Sequence, residues 1–293
     1  MTLPDGSRRR CLLGAALLAA ATATRSQQRP RDLRVGLVPY LSTRATLDLY
    51  QPLRRHLETE LKGPVTLYTA ADFRALADNA RAGEYALALM PPHLARIAVN
   101  DWGHVFVARS SLTSEVQLIA RRDAQPALPD GLRGRRIAAI DPLSLGTLTL
   151  QRWLVQQGLV PGRDVQIDHL RSIGSAVIAV QRGDAVALTG AIGQLRDLAL
   201  GDTSDLVKIA TVAAIPTPVF VAHPSIPATE VADWQAALLS FVPPPSADPG
   251  LSRKPFIAGS IRELDAIEGY AQEARRLLAQ PPGAPRPAET RRP

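Results

Sequence analysis

The chain has 293 residues, 46% of them hydrophobic and 21% charged, enough to bury one large core or two smaller ones. Its formal charge of +7 lies partly at the ends, in Arg8, Arg9 and Arg10 and in Arg286, Arg291 and Arg292. The middle is only mildly basic and lacks the clustered Lys and Arg with aromatics or a known motif that mark a nucleic-acid binder, so that class is set aside.

The N-terminus reads as an export signal covering residues 1–23. Ser7-Arg8-Arg9-Arg10 is a positive n-region, Cys11 to Ala21 an apolar run without a polar face, and Ala21-Thr22-Ala23 offers small residues for cleavage near Ala23. The run is too short to span a bilayer, which needs about 20 apolar residues. The paired arginines fit a twin-arginine signal, although Cys11 stands where that pattern prefers Phe, so both that route and general secretion stay open. The only cysteine would leave with the signal, and the mature chain would have no disulfide.

Leu33 to Pro39 is a short apolar strand ending in a Pro loop. Thr46 to Leu61 places leucines at helical spacing, with Pro52 at a first turn or kink. Val65 to Tyr68 is a strand, and Phe73 to Ala82 a helix closed by Gly83. Tyr85 to Met90 is continuously apolar, as in a strand buried on both faces of a parallel sheet. Pro91-Pro92 stops it, and His93 to Asn100 is helical. Val105 to Arg109 and Glu115 to Arg121 are strands, and the Pro- and Gly-rich stretch 122–134 is a boundary. The rhythm then restarts: strands at Arg136 to Ile140, Val165 to Leu170 and Ala185 to Leu188, with helices at Thr147 to Gln157, Ser175 to Arg182 and Gln194 to Leu200. Val207 to Ala213 and Val219 to Ala222 are strands, Ala228 to Phe241 and Leu264 to Ala279 helices, and the Pro-rich 281–293 a disordered tail. This alternation predicts an α/β protein of two lobes, each a mostly parallel sheet flanked by helices, with a ligand cleft between them. Residues 32–114 plus 212–280 would form one lobe and 115–211 the other.

The order of segments resembles the phosphate, phosphite and phosphonate substrate-binding family of ABC importers, which have the type II periplasmic-binding-protein fold. The resemblance runs through Leu37-Val38-Pro39-Tyr40, Tyr50-Gln51-Pro52-Leu53 and Gly83-Glu84-Tyr85 to Pro91-Pro92. It continues in Leu132-Arg133-Gly134-Arg135, Asp141-Pro142-Leu143-Ser144, Gly158 to Val165, Val180 to Ala185 and Ile215-Pro216-Thr217-Pro218. It implies a periplasmic receptor, monomeric, without cofactor, metal or catalysis, whose partners are a small anionic ligand and an ABC permease. A membrane sensor kinase is the alternative partner for the same fold. The sequence departs from the family at the site: Leu145-Gly146-Thr147 follows Ser144 in place of threonine-serine-glycine, and Ile173 stands at an anion-contacting histidine. Acidic residues are also missing at Ala86 and at Gly190 or Ala191, which removes partners for an aminoalkyl group.

The physical reading of the site starts at Ser144. It lies between a strand and a helix, where backbone N–H groups and the helix dipole bind anions; Ser144, Leu145, Gly146 and Thr147 form that start. Ser144 serves equally well as a helix cap. Tyr40, Ser42, Thr43 and Arg44 follow the first strand, and Arg44 is either an oxyanion clamp or a solvated arginine. Met90, Pro92 and His93 end another strand, Ser114 belongs to the hydroxyl-rich stretch from Arg109, and Ser172 and Thr189 complete the candidate set. The five histidines are scattered, and no nucleophile elbow, zinc-protease, phosphate-loop or cysteine-cluster motif is present.

Overall fold

A computed structural model describes residues 32–110, 113–191, 195, 202–242 and 256–281. The export segment, most of the helix expected at 194–200, and residues 282–293 of the expected tail lie outside the described residues. The strands are β1 Leu33–Leu37, β2 Val65–Thr69, β3 Leu87–Met90, β4 Val105–Ser110, β5 Thr113–Arg121, β6 Arg136–Ile140, β7 Gln166–Leu170, β8 Ala187–Gly190, β9 Leu206–Pro216, β10 Val219–Ala222 and β11 Phe256–Ile257. The helices are α1 Thr43–Leu61, α2 Phe73–Arg81, α3 Pro92–Trp102, α4 Leu145–Gln156, α5 Ile173–Arg182, α6 Ala228–Ser240 and α7 Glu268–Ala279.

The strands form two sheets, one ordered β11-β4-β10-β3-β1-β2 and the other β7-β6-β8-β5-β9. In each, three neighbours run parallel, β2-β1-β3 and β7-β6-β8, and the remaining strands add antiparallel partners. The two-lobed α/β architecture expected from the sequence is thus present, each sheet built on three parallel strands and completed by antiparallel ones. The chain passes from the first sheet to the second between β4 and β5 and returns between β9 and β10. Thr113, Ser114 and Ala213 to Pro216 pair within the second sheet.

Burial explains the elements. All four residues of β3 are buried, because that strand is covered on both faces. In the second lobe the period of two is clean: Leu118, Ala120, Ile137 and Ala139 face the core under α4, while Ile119, Ala138 and Leu188 face α5. Gly36 on β1 has a steric reason, since a Cβ there would lie 2.3 Å from Cδ2 of Tyr85. Helix α1 starts three residues earlier than its leucine spacing predicts, because the Ser42 Oγ caps it by accepting the Ala45 N–H at 3.3 Å. It also continues through Pro52, held on both sides of the proline by buried Thr46, Tyr50, Leu53 and Leu57.

The C-terminal segment is pinned to the first lobe by charge. The Arg96 guanidinium on α3 pairs with Asp265, at 2.6 Å, and with Glu268; Arg275 pairs with Glu268 at 2.8 Å and Asp101 at 2.6 Å. Arg74 on α2 donates to the Leu278 carbonyl at 2.8 Å, satisfying the end of α7. This fixes Tyr270 where the second lobe meets it: the Arg152 guanidinium of α4 lies 4.0 Å from its ring centroid.

Candidate ligand site between the lobes

The loops after β1, β2, β3, β6 and β7 lead into α1 to α5 at the carboxyl ends of the parallel strands, the end at which open α/β sheets bind ligands. The β6–α4 loop is the best organised. Asp141 Oδ1 accepts the Leu143 N–H at 2.7 Å, and its Oδ2 accepts the Phe73 N–H of α2, in the other lobe, at 3.0 Å. Ser144 Oγ accepts the Thr147 N–H at 3.1 Å and donates to Thr147 Oγ1 at 2.8 Å. Thr147 Oγ1 in turn donates to the Ile140 carbonyl at 2.9 Å. Both hydroxyl protons are therefore used inside the loop, and both residues are buried. Ser144 therefore caps α4. What α4 turns toward the cleft is backbone: no acceptor among the described residues meets the Leu145 and Gly146 N–H groups. A Cβ on Gly146 would touch only Ser144 Oγ, at 4.0 Å, so space is open in front of it.

His93 stands opposite this loop. It is completely buried, and its Nε2 donates to the Leu143 carbonyl across the cleft at 2.8 Å. Burial lowers its pKa from 6.5 to about 4, only partly offset by that hydrogen bond, so the ring is neutral at pH 7. Its Nδ1 is buried without a hydrogen-bond partner among the described residues. Met90 and Pro92 are buried beside it, as strand end and first helical residue. They shape the wall rather than offering polar groups.

The β1–α1 loop meets α5. The Tyr40 carbonyl accepts the Ile173 N–H at 3.2 Å, while Ser172 Oγ caps α5 by accepting the Ser175 N–H at 3.2 Å. Leu41 leaves its own lobe's core and packs among Ile119, Ile173, Val177 and Leu188 of the second lobe. Leu143 does the converse, joining the core of the first lobe. Thr43 is exposed, and the Arg44 side chain is 93% exposed and 3.6 Å from Asp48, in the setting of a solvated arginine. Ser42 likewise is an exposed cap. Thr189 is buried in β8 opposite Leu118, and Ser114 is placed by its backbone in β5 opposite Ile215.

Tyr40 and Ser172 are thus brought together, as are His93 and the Ser144 loop, whereas Thr43 and Arg44 stand apart. Sequence reasoning missed Leu41, Phe73, Leu143 and the Asp141 carboxylate. The available signal was that leucines occupy two loop positions flanked by Pro and Ser, where solvent-facing loops carry polar residues.

Two α/β lobes joined by two crossings, with helix starts converging on the cleft, define a bilobal solute receptor. The family described as "ABC transporter, phosphonate, periplasmic substrate-binding protein" matches residues 35–256, and the chain belongs to it. Three structures share the fold. PhnD1 from Prochlorococcus marinus, in complex with methylphosphonate, superposes with a TM-score of 0.70 at 15% identity, covering 85% of this chain and 100% of its own. A binding protein component of an ABC phosphonate transporter from Pseudomonas aeruginosa gives 0.69 at 15% identity, covering 86% and 90%. The alkanesulfonate-binding protein SsuA from Xanthomonas axonopodis pv. citri, bound to MOPS, gives 0.57 at 16% identity, covering 86% and 96%. Membership makes this chain a periplasmic substrate-binding protein, with a small ligand and a permease as the family's partners.

Proposed function

We propose that this chain captures a small phosphonate-type oxyanion on the first turn of α4 and releases it to an ABC permease. The carrying observation is how the helix starts around the cleft are used. The Phe73 N–H of α2 goes to Asp141, and the Ile173 N–H of α5 goes to Tyr40. Helix α3 opens on Pro91 and Pro92, which have no N–H to give. The start of α4 combines two N–H groups that meet no acceptor among the described residues with open space at Gly146. A helix start of this kind holds an anion through backbone dipoles without a charged side chain. The candidate contacts are therefore Leu145, Gly146 and the walls formed by Tyr40, Met90, Pro92, His93, Ser172 and Thr189. Capture without turnover, a monomeric state and delivery to a permease rather than to a sensor kinase belong to this reading, which follows the transporter family.

The test is thermal unfolding of the purified protein against methylphosphonate, phosphite, phosphate, alkanesulfonates and carboxylates. A ligand at 100 times its dissociation constant stabilises by about 2.7 kcal/mol. Gly146→Val, which fills the space before the helix, should abolish that shift. If no anion stabilises the protein, or if any candidate ligand is turned over to product, the reading fails.

A further inference from the structure

The second lobe carries a cavity of its own at the end opposite the ligand cleft. Strands β6 and β8 begin there, at Arg136 and Ala187, and α5 ends there at Arg182, whereas the start of α5 meets Tyr40 at the cleft. The cavity has a volume of about 310 Å³, at the small end of ligand pockets. Every residue lining it belongs to the second lobe, so hinge motion between the lobes leaves its walls in place. Its apolar part is Val180, Ala185 and Val186, the first two of them buried.

The charged groups around it are Arg121, Arg135, Arg136 and Asp184. Two of the arginines are already engaged. Arg121 grips Asp123, Nε to Oδ1 at 2.9 Å, and Arg136 grips Asp168, Nε to Oδ2 at 2.6 Å. The Arg135 guanidinium and the Asp184 carboxylate have no partner among the described residues, and they stand too far apart to pair with each other. The cavity therefore offers a ligand one free cation and one free carboxylate beside an apolar surface. The end of α5 reinforces the negative side, because Asp184 directly follows Gly183, the left-handed C-cap at φ 82°, where the helix dipole favours cations. A Cβ at Gly134 or Gly183 would meet nothing within 4 Å, so no neighbouring group closes over either edge.

We infer that this cavity is a second binding site, for a small zwitterion of the ω-amino acid class. The ligand's carboxylate lies on Arg135, its ammonium on Asp184, and its methylene spacer against Val180, Ala185 and Val186. A simple anion would meet Arg135 but would also face Asp184 and the negative end of α5. A simple amine would meet Asp184 but face Arg135. A molecule bearing both charges, held apart by a spacer, satisfies both groups at once.

Nuclear magnetic resonance of the purified protein, isotope-labelled at glycine, tests this, because Gly134 and Gly183 line the cavity while Gly146 reports on the cleft. β-Alanine, γ-aminobutyrate and ε-aminocaproate are titrated to millimolar concentration, with propionate and propylamine as controls of single charge. At least one of the three zwitterions should shift the Gly134 and Gly183 signals saturably and leave Gly146 in place, while the controls move none of them. Arg135→Gln and Asp184→Asn, both at exposed positions, should each weaken that binding about 10- to 100-fold, and Gly146→Val should leave it intact. The inference is overturned if no zwitterion shifts Gly134 and Gly183, if propionate shifts them as strongly as β-alanine does, or if either charge-removing variant binds as tightly as the wild type. The cleft is read in the same spectra through Gly146, so failure of this site and failure of the ligand reading above are separately visible.

Discussion

Lowering the pH should destabilise this protein through His93, and the size of the effect can be worked from its surroundings. The ring is completely buried and its pKa is lowered from 6.5 to about 4, so in the folded state it stays neutral to well below pH 6. The unfolded chain takes up a proton near pH 6.5. Between those values the unfolded state binds more protons, and stability therefore falls as the pH falls. The stability is whole above 6.5 and is lost progressively down to about 4. Integrated from pH 7 to pH 4, one such group costs about 3 kcal/mol, with a steepest slope of about 1.4 kcal/mol per pH unit. His104, lowered to about 4 by burial and by the neighbouring His223, adds a loss of the same sign. The assay must therefore be a difference. His93→Gln keeps an N–H near the Leu143 carbonyl but cannot titrate. Urea unfolding of both proteins at pH 7, 6, 5 and 4 should show the wild type losing about 3 kcal/mol more than the variant over that span. Parallel pH profiles would refute the reasoning, because they would mean that His93 is charged or solvated in the folded state.

Other substitutions probe the scaffold. Gly36→Ala brings a methyl group to 2.3 Å from Cδ2 of a Tyr85 ring that Asn79 Nδ2 holds by its hydroxyl at 2.9 Å. It should cost about 1–3 kcal/mol in urea unfolding, and Tyr85→Leu in the same chain should recover part of that loss. Ser144→Ala removes a cap whose hydroxyl faces Thr147, so it should lower stability by about 1 kcal/mol while leaving methylphosphonate affinity unchanged. A large loss of affinity with intact stability would instead make Ser144 a ligand contact. Thr147→Val leaves the Ile140 carbonyl without its hydroxyl donor and should cost about 1–3 kcal/mol by the same assay.

How far the sequence could be read depended on the range of the interactions involved. Strand β3 and helix α2 were legible because a continuous apolar run and a capped, Gly-terminated period are local signals. The ends of β9 were not, because that strand extends to Pro216 through its ladder with β5, a pairing that no local pattern encodes. The start of α1 was hidden by Ser42, whose capping role competes with any other reading of a polar loop residue. In the cleft, the helix start at Ser144 could be named from the Asp-Pro-x-Ser stretch. Which of its atoms face the ligand could not, since that depends on Thr147 and Ile140 taking up the hydroxyls. Leu41 and Leu143 were invisible for a deeper reason. Each is buried by the opposite lobe, so its environment is set by residues distant in the chain, from Ile119 onward for Leu41 and from Ala108 backward or Val219 onward for Leu143. Arg44 shows the converse: its chemistry suits an oxyanion, but α1 turns it to solvent beside Asp48.

The β5–β9 ladder has a consequence beyond the cleft. Its first rung pairs Thr113 with Pro216, so the chain leaves the first sheet and comes back to it at neighbouring points. Everything between those two residues is one uninterrupted excursion, which makes the second lobe an insert in the first rather than its equal partner. A transplant of that insert between relatives would need only two joints, at the two ends of that one rung, and neither half would have to be rethreaded.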